Sequence, residues 1–277
     1  MYILKAIFIV ITVLSFNSNA SLINLDFSNH LEVNDTSADF SLGPAYTGNT
    51  MHFLNVGTED GVTADARVTA TPFGIYSFEY HIPNYNQTSG AEPNGDIGFI
   101  MTSNEVGTGG LTYLFELFDG TGSNSNTFTT PLEAELLSIM IYDVDGESSQ
   151  SETFRAYYSD GLFSYQTGTH ASSLVATSAG PGEILFTGPG TNYSEQSTVG
   201  AAILNFRNTS SFTLNFESET YTSSGENPVF SAIDGNLSME SDDFEPPVSV
   251  HEPKFMFIFM IVAIFLLRMQ LIKQSDK

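Results

Sequence analysis

Residues 211–218 read SFTLNFES, and the alternation in this stretch decides the fold class. Its apolar residues, Phe212, Leu214 and Phe216, are separated by single polar residues. Successive side chains of a β-strand point to opposite faces, so the stretch predicts a strand with one buried and one solvated face. IYSFEYHI, residues 75–82, repeats the pattern with mostly aromatic residues. We therefore expect β-structure in which each strand packs one face on a core.

Similar segments recur along most of the chain, and Gly, Asn, Ser, Asp or Pro residues separate them. They are residues 22–28, 64–71, 96–103, 111–119, 135–144, 153–158, 162–167, 183–188, 201–207 and 229–240. LTYLFELFD and ELLSIMIYDV, the fourth and fifth of these, are apolar on both faces, which is typical of central strands. Many short strands without an amphipathic helix before residue 250 predict one all-β sandwich domain, residues 21–240, with a jelly-roll-like arrangement.

Polar stretches interrupt this pattern and are predicted to be loops or linkers. The predicted loops are residues 84–96, 120–127 and 170–183. Residues 241–253, SDDFEPPVSVHEP, are acidic and rich in Pro. That composition is typical of an extended tether that follows a folded domain.

The charge balance limits the class of partner. The 277-residue chain has a formal net charge of −24, and residues 21–251 contain 30 Asp and Glu against three Arg and no Lys. Such a surface repels phosphate groups, which excludes nucleic acid, and it attracts divalent cations. Alternatively, the acidity only keeps an exported protein soluble. Cys is absent, so disulfides, thiolate zinc sites and a Cys nucleophile are excluded.

The N-terminus has the pattern of a secretory signal peptide. Lys5 supplies a positive charge, an apolar stretch follows from Ala6 to Phe16, and Ser18 and Ala20 are small residues at the cleavage positions. Residues 1–20 are therefore predicted to be removed after export.

The C-terminus has the pattern of a membrane anchor. Phe255–Leu267 is an unbroken apolar run, and the hydrophobic segment continues to Ile272 with Arg268 inside it. This length predicts a transmembrane helix over residues 254–272. The following bases, including those in residues 273–277, place the C-terminus in the cytoplasm and the domain outside.

The last 30 or so residues also resemble the PEP-CTERM sorting tail of exported proteins from Gram-negative bacteria. Glu252 and Pro253 match the second and third letters of the Pro-Glu-Pro signature, and His251 stands at the first. A hydrophobic helix and a basic end follow, as in that family. The resemblance implies recognition and cleavage near Glu252-Pro253 by an exosortase-type membrane protease, with delivery to the cell surface or matrix. A plain membrane anchor is the alternative.

IYDVDGESSQSE, residues 141–152, is the best candidate for a chemical site. Here a predicted strand ends and places Asp143, Asp145 and Glu147 at alternate positions, with Gly146 for a turn. Alternate strand positions point the same way, and convergent carboxylates suit Ca²⁺. Ordinary turn chemistry is the alternative interpretation. Neighbouring strands offer four candidates for further ligands, which are Asp60, Asp65, Glu152 and Asp160.

No catalytic constellation stands out in the sequence. The His residues have no G-x-S-x-G nucleophile elbow beside them and no metal-binding spacing. The sequence therefore predicts a non-enzymatic exported surface or matrix protein. The alternative is a carbohydrate-binding or adhesive β-sandwich whose partner is a polysaccharide, with or without dependence on Ca²⁺. In that case aromatic residues such as Tyr85 or Tyr193 would stack on the sugar rings. A divergent hydrolase is the second alternative.

Overall fold

The computed structural model describes residues 22–27, 29–31, 38–40, 43–45, 49–83, 97–193, 197–222, 227–234 and 244–250. Within these ranges the chain forms β-strands and three short 3-10 turns, Gly122–Asn124, Tyr158–Asp160 and Thr198–Gly200. The strands are β1 Leu22–Asn24, β2 His30–Leu31, β3 Ala38–Phe40, β4 Gly43–Ala45, β5 Thr50–Glu59, β6 Val62–Gly74, β7 Ser77–Pro83, β8 Ile97–Ser103, β9 Gly107–Asp119, β10 Ala134–Tyr142, β11 Gln150–Tyr157, β12 Leu162–Thr167, β13 Val175–Gly180, β14 Glu183–Thr187, β15 Ala202–Thr209, β16 Ser211–Thr220, β17 Asn227–Asp234 and β18 Val248–Ser249.

The strands form two large sheets. The first sheet has the order β18-β12-β15-β10-β17-β8-β7, and β1 pairs in parallel with β10 beside this path. The second sheet has the order β13-β14-β11-β16-β9-β6-β5-β2. A separate hairpin joins β3 to β4. This arrangement confirms the predicted all-β architecture with two sheets.

One apolar core joins the two sheets, and aromatic rings cross it. The ring of Phe99 in β8 of the first sheet lies 4.7 Å from Phe216 and 4.9 Å from Tyr113, both in the second sheet. Phe206 in β15 and Phe212 in β16 stack at 4.5 Å. Phe residues fill the space between the sheets because the chain has 23 of them and no Trp.

The burial patterns predicted from the sequence are present in the central strands. In β16, Phe212, Leu214 and Phe216 are buried, whereas the residues between them are not. β10 lies between β15 and β17 and is buried on both faces, as its continuous apolar run predicts. Ile139 in β10 belongs to the main core, whereas Met140 belongs to a second cluster.

This second cluster, called the outer cluster, consists of Met140, Tyr142, Ala201, Ile203 and Phe244. Phe244 is only 5% exposed, although it lies in the stretch expected to be an extended tether. The apolar face that β10 and β15 share is therefore covered by a residue from the end of the chain.

Hydrogen bonds hold the described part of that stretch, residues 244–250, along β12. The Glu245 N–H donates to the Thr167 carbonyl oxygen over 2.8 Å, and the Val250 N–H donates to the Phe163 carbonyl oxygen over 2.7 Å. Between these bonds, β18 pairs with β12 in the first sheet. The structure thus places these residues against the sandwich.

Six of the described strands were not among the predicted ones, namely β2, β3, β4, β5, β13 and β18, and the longest of these are β5 and β13. β5 follows an alternating burial pattern at Met51 and Phe53, but a bulge with Asn55 at a φ of 54° moves the next buried residue to Val56. The bulge changes the phase of the apolar pattern and hides the strand. β13 lies at an edge of the second sheet inside the stretch predicted as loop 170–183, and most of its residues are exposed. An exposed edge strand has no apolar alternation to detect.

Several predictions fall outside the described residues. The signal peptide, residues 1–20, the transmembrane or sorting helix, residues 254–272, and the basic end, residues 273–277, are among them. So are the loop at residues 84–96 and the motif residues Glu252 and Pro253. In the part of the chain that the structure describes, no helix has the length and apolar character needed to cross a membrane.

Candidate functional site

The predicted acidic site lies where β10 ends and the chain turns toward β11. The strand ends at Tyr142, and Asp143 then adopts a left-handed φ of 62°. Gly146 has a φ of 73°, and Glu147 and Gln150 close a tight turn with two backbone hydrogen bonds. The backbone therefore leaves the extended conformation before the three carboxylates, and alternate residues no longer point the same way.

The three predicted ligands have different surroundings. Asp143 is half-buried, Asp145 is 5% exposed, and Glu147 is exposed and accepts a hydrogen bond from the Ser149 hydroxyl. Within the described ranges, no group of three His, Cys, Asp or Glu side chains is arranged to hold a metal ion. The structure brings Asp145 close to Glu152, one of the further ligands considered, and leaves Glu147 at the surface. Calcium binding here stays a prediction.

Asp145 and Glu152 form a buried carboxyl pair. The Asp145 N–H donates to Glu152 Oε2 over 3.2 Å, and the side-chain amide Nε2 of Gln150 donates to Glu152 Oε1 over 3.3 Å. Asp145 Oδ2 accepts a hydrogen bond from the Tyr193 N–H, which links the turn to a loop after β14. Glu152 is only 6% exposed, so neither carboxyl group is open to a substrate.

Burial dominates the titration of this pair. The pKa of Glu152 is raised to about 8, mainly by burial and then by the negative charges of Asp145 and Asp143, while hydrogen bonds from the Asp145 and Gly146 N–H groups partly oppose this rise. Burial also raises the pKa of Asp145, while the N–H groups of Tyr193 and Gly146 oppose that shift. Glu152 therefore carries a proton near neutral pH, because ionising both carboxyl groups in a buried site is unfavourable.

Of the remaining acids considered as ligands, Asp65 and Asp160 accept backbone N–H groups instead. Asp65 is completely buried, and its two oxygens accept the N–H groups of Asn55 and Asn126, each over 2.9 Å. Asp60 is exposed and occupies a turn with a φ of 49°. Asp160 lies in a different part of the molecule, in a cleft that the sequence did not predict.

This cleft lies where the chain crosses twice between the sheets. The Tyr158–Asp160 turn carries the chain from β11 in the second sheet to β12 in the first, and the turn after Thr209 carries it from β15 back to β16. The Arg207 N–H donates to the Gly161 carbonyl oxygen over 3.0 Å, and the Thr213 N–H donates to Asp160 Oδ2 over 2.7 Å. These bonds hold the two crossings side by side.

Gly161 permits this close approach. It has a φ of 90°, and a Cβ atom there would lie 2.4 Å from the Arg207 carbonyl oxygen. Any other residue would both strain the backbone and separate the two crossings.

The cleft has a volume of about 330 Å³ and is polar. Its lining consists of Tyr158, Ser159, Asp160, Gly161, Arg207, Asn208 and Thr209. The volume is at the lower end of the range for small-molecule sites. Tyr158 is half-buried against the core, and burial raises the pKa of its phenol, so its O–H stays a donor at neutral pH. The lining thus offers an aromatic ring, hydrogen-bond donors and a carboxylate acceptor.

Arg207 differs from the other two arginines of the domain. Arg67 makes a two-bond contact to Glu116 at 2.8 and 2.9 Å, and Arg155 lies 3.4 Å from a Glu183 oxygen. Arg207 is exposed and forms no ion pair with a carboxylate in the described ranges. Its guanidinium carbon lies 5.4 Å from the centre of the Phe163 ring, a cation–π contact that orients the group.

Sequence reasoning named Asp160 but missed its neighbours in the cleft. The Y-S-D-G run at residues 158–161 indicates a turn, and Arg207 is one of three cations among 30 acids in residues 21–251. Neither signal shows that the two segments meet. Of the aromatic residues proposed for sugar stacking, Tyr193 is half-buried, and Tyr85 lies outside the described residues.

No protein-family model matches this chain, and no curated protein matches it with significance. Among solved structures, the N-terminal domain of the Streptococcus gordonii adhesin Sgo0707 is similar over 76% of this chain and 59% of its own, at 14% identity and a TM-score of 0.47. The chain therefore spans less than two thirds of that adhesin domain.

Two further structures are similar at lower scores. Glucan Binding Protein C of Streptococcus mutans is similar over 79% of this chain and 67% of its own, at 9% identity and a TM-score of 0.38. Carbohydrate-binding modules from the β-sandwich superfamily are similar over 70% of this chain and 85% of theirs, at 9% identity and a TM-score of 0.19. Every TM-score is below 0.5, so no function is assigned from these similarities.

Proposed function

We propose that this protein is a non-catalytic carbohydrate-binding module that acts in adhesion at the cell surface. The observation that carries the proposal is the polar cleft between the two inter-sheet crossings, which combines Tyr158, Asp160 and Arg207. Sugar recognition in proteins needs this combination of an apolar ring face with hydrogen-bond donors and acceptors for hydroxyl groups. A rigid β scaffold holds the groups in place before the ligand arrives, which reduces the entropic cost of binding.

The chemistry of the cleft favours binding over hydrolysis. Hydrolysis of a glycosidic bond uses two carboxyl groups, one on each side of the bond. The lining of the cleft has one, Asp160, and its oxygens already accept the Thr213 N–H and the Ser159 hydroxyl. The Asp145–Glu152 pair has a raised pKa of the kind that catalysis uses, but both side chains are buried beneath the turn. A divergent hydrolase is therefore the weaker candidate.

Export and surface retention complete the proposal. The N-terminal residues 1–20 act as a signal peptide, and residues 254–272 hold the domain at the membrane until an exosortase-type protease acts near Glu252-Pro253. The domain has a jelly-roll-like topology in this proposal. Fractionation of the native host tests the tail: a tagged wild-type protein should appear shortened at the surface, and a variant with Glu252→Ala and Pro253→Ala should remain full-length in the membrane.

A polysaccharide-binding screen tests the central claim. The full-length protein should be retained by at least one insoluble or immobilised polysaccharide, and the bound polymer should release no soluble sugar on long incubation. Release of sugar products would favour the hydrolase instead. Absence of binding to a broad panel of polymers would overturn the proposal.

Calcium binding at Asp143, Asp145 and Glu147 stays a prediction beside this proposal. A cation that binds only the native state raises the melting temperature. Thermal melting with and without Ca²⁺, compared between the wild type and Asp143→Asn, tests it. A melting temperature that Ca²⁺ leaves unchanged would exclude the site.

A further inference from the structure

The charge of the molecule restricts which sugars can use the cleft. Residues 21–251 carry 30 acidic side chains against three Arg, and ion pairs with Glu116, Glu183 and Glu217 engage two of these arginines. A polyanion that approached any part of this surface would meet net repulsion over several ångströms. Arg207, which forms no ion pair within the described ranges, thus lies in a field of the opposite sign.

We infer that the cleft binds a neutral hexose unit of a polysaccharide and excludes acidic polysaccharides, an inference that rests on the proposed carbohydrate-binding function. Asp160 and Arg207 supply one acceptor and one donor group on opposite crossings. A neutral hexose offers adjacent hydroxyl groups that both donate and accept, so it satisfies both groups at once. A uronate places a negative charge in a site that contains the Asp160 carboxylate, and like charges in contact are destabilising.

The geometry of the two groups supports this assignment. Backbone and hydroxyl donors fix the Asp160 carboxylate, since it accepts the Thr213 N–H over 2.7 Å and the Ser159 hydroxyl over 3.1 Å. A carboxylate has about four lone-pair sites, so acceptor capacity remains for a ligand hydroxyl. The Phe163 ring orients Arg207 by its face and leaves the N–H groups at the edge of the guanidinium for hydrogen bonds. Tyr158 lines the same cleft and supplies the ring surface.

Native affinity electrophoresis suits this protein because its charge of −24 drives it through the gel. The full-length protein, in mild detergent, is run through gels that contain dextran or galactomannan as neutral polymers, or alginate as the acidic polymer. Arg207→Gln is the test variant, and Arg67→Gln is its control because it changes the net charge equally at a residue that does not line the cleft. Asp160→Asn is a second test variant that keeps the shape of the side chain and its place in the turn.

We expect neutral polymer to retard the wild type and Arg67→Gln, and alginate not to. Loss of a charged hydrogen-bond donor should weaken retardation of Arg207→Gln about tenfold, and Asp160→Asn should also be weaker. Equal retardation of all variants by a neutral polymer would overturn the site while the proposed function stands. Retardation by alginate alone would overturn the ligand class. No retardation by any polymer, with folded protein by circular dichroism, would overturn both the site and the proposed function.

Discussion

At the residue scale, single buried carboxyl groups hold parts of this fold together. Asp65 lies near the start of β6 and bonds the bulge at Asn55 to the loop residue Asn126. Gly120 packs directly on it, since a Cβ atom there would lie 2.5 Å from an Asp65 oxygen. Glu152 has a similar role, because it is buried under the β10–β11 turn and accepts the Asp145 N–H. In a chain with so few cations, backbone N–H groups are the partners that stabilise buried carboxyl groups.

Replacement of Asp65 by Ala should be strongly destabilising. The change removes two hydrogen bonds from backbone N–H groups to a carboxylate, and a hydrogen bond to a charged group contributes about 1.5–3 kcal/mol. Urea unfolding should show a lower midpoint with an unchanged slope. Glu219→Ala removes the same charge from an exposed position of β16 and should change the free energy of unfolding by less than about 0.5 kcal/mol. Equal stability of Asp65→Ala and wild type would contradict the role of Asp65.

The pKa of Glu152 predicts how stability depends on pH. Its value is about 8 in the folded protein against 4.5 for an ordinary glutamate, so the native state binds more protons between these values. The contribution is fully present below pH 4.5 and is lost as the pH rises toward 8. The free energy of unfolding should fall by up to about 1.4 kcal/mol per pH unit in this window.

Glu152→Gln tests this dependence, because glutamine keeps the shape of the side chain and cannot ionise. The variant should lose most of the slope between pH 5 and 8 and should be more stable than wild type at pH 9. Glu219→Gln, an exposed change in the neighbouring strand β16, should retain the slope. Parallel curves for Glu152→Gln and wild type would show that Glu152 does not titrate in this range.

At the element scale, the end of the described chain belongs to the sandwich. Residues 244–250 pair with β12 and place Phe244 in the outer cluster, against Met140, Tyr142 and Ile203. This explains why β10 is apolar on both faces while one of those faces lies outside the main core. The motif residues Glu252 and Pro253 follow Val250 after His251 only, so little free chain separates the sandwich from the predicted sorting site.

Two truncations test the docking of this segment. A chain that ends at Val250 should keep the melting temperature of a chain with the full tail. A chain that ends at Asp243 exposes the outer cluster and should lose at least about 3 kcal/mol, the usual effect of removing a buried Phe side chain. Phe244→Ala in the longer chain should produce most of the same loss. Equal melting temperatures for the two truncations would show that the segment does not stabilise the domain.

At the scale of the whole molecule, one core makes the two sheets a single unit. Phe216 of β16 contacts Phe99 across the sheets and lies 5.8 Å from Tyr113 and 6.0 Å from Phe154 within the second sheet. Rings from neighbouring strands thus interlock, and the sheets cannot separate without exposing them. The core and the inter-sheet crossings also fix the cleft between Gly161 and Arg207.

Phe216→Ala should destabilise both sheets together. The cavity should lower the free energy of unfolding by about 3–5 kcal/mol, in one transition seen alike by circular dichroism and tyrosine fluorescence. Leu114→Ala, in the adjacent strand β9, is the control because Leu114 is 37% exposed. That control should cost less than about 1 kcal/mol. Two separate transitions in Phe216→Ala would mean that the sheets unfold independently.

The sequence alone determined the local elements whose pattern is strong. SFTLNFES forms β16 with the predicted buried face, and the apolar runs form the central strands β9 and β10. These predictions succeed because strand periodicity is a property of neighbouring residues. β5 and β13 escaped prediction because a bulge shifts the phase of one and the other is an exposed edge strand.

Only the tertiary structure decided which side chains meet. The sequence placed Asp143, Asp145 and Glu147 on one strand face, but positive φ angles at Asp143 and Gly146 turn the chain and bring Asp145 to Glu152. The cleft depends on two inter-sheet crossings that are far apart in sequence. Phe244 likewise covers β10, a strand about 100 residues earlier in the chain. Such contacts depend on sheet order and burial over the whole chain, which local alternation does not encode.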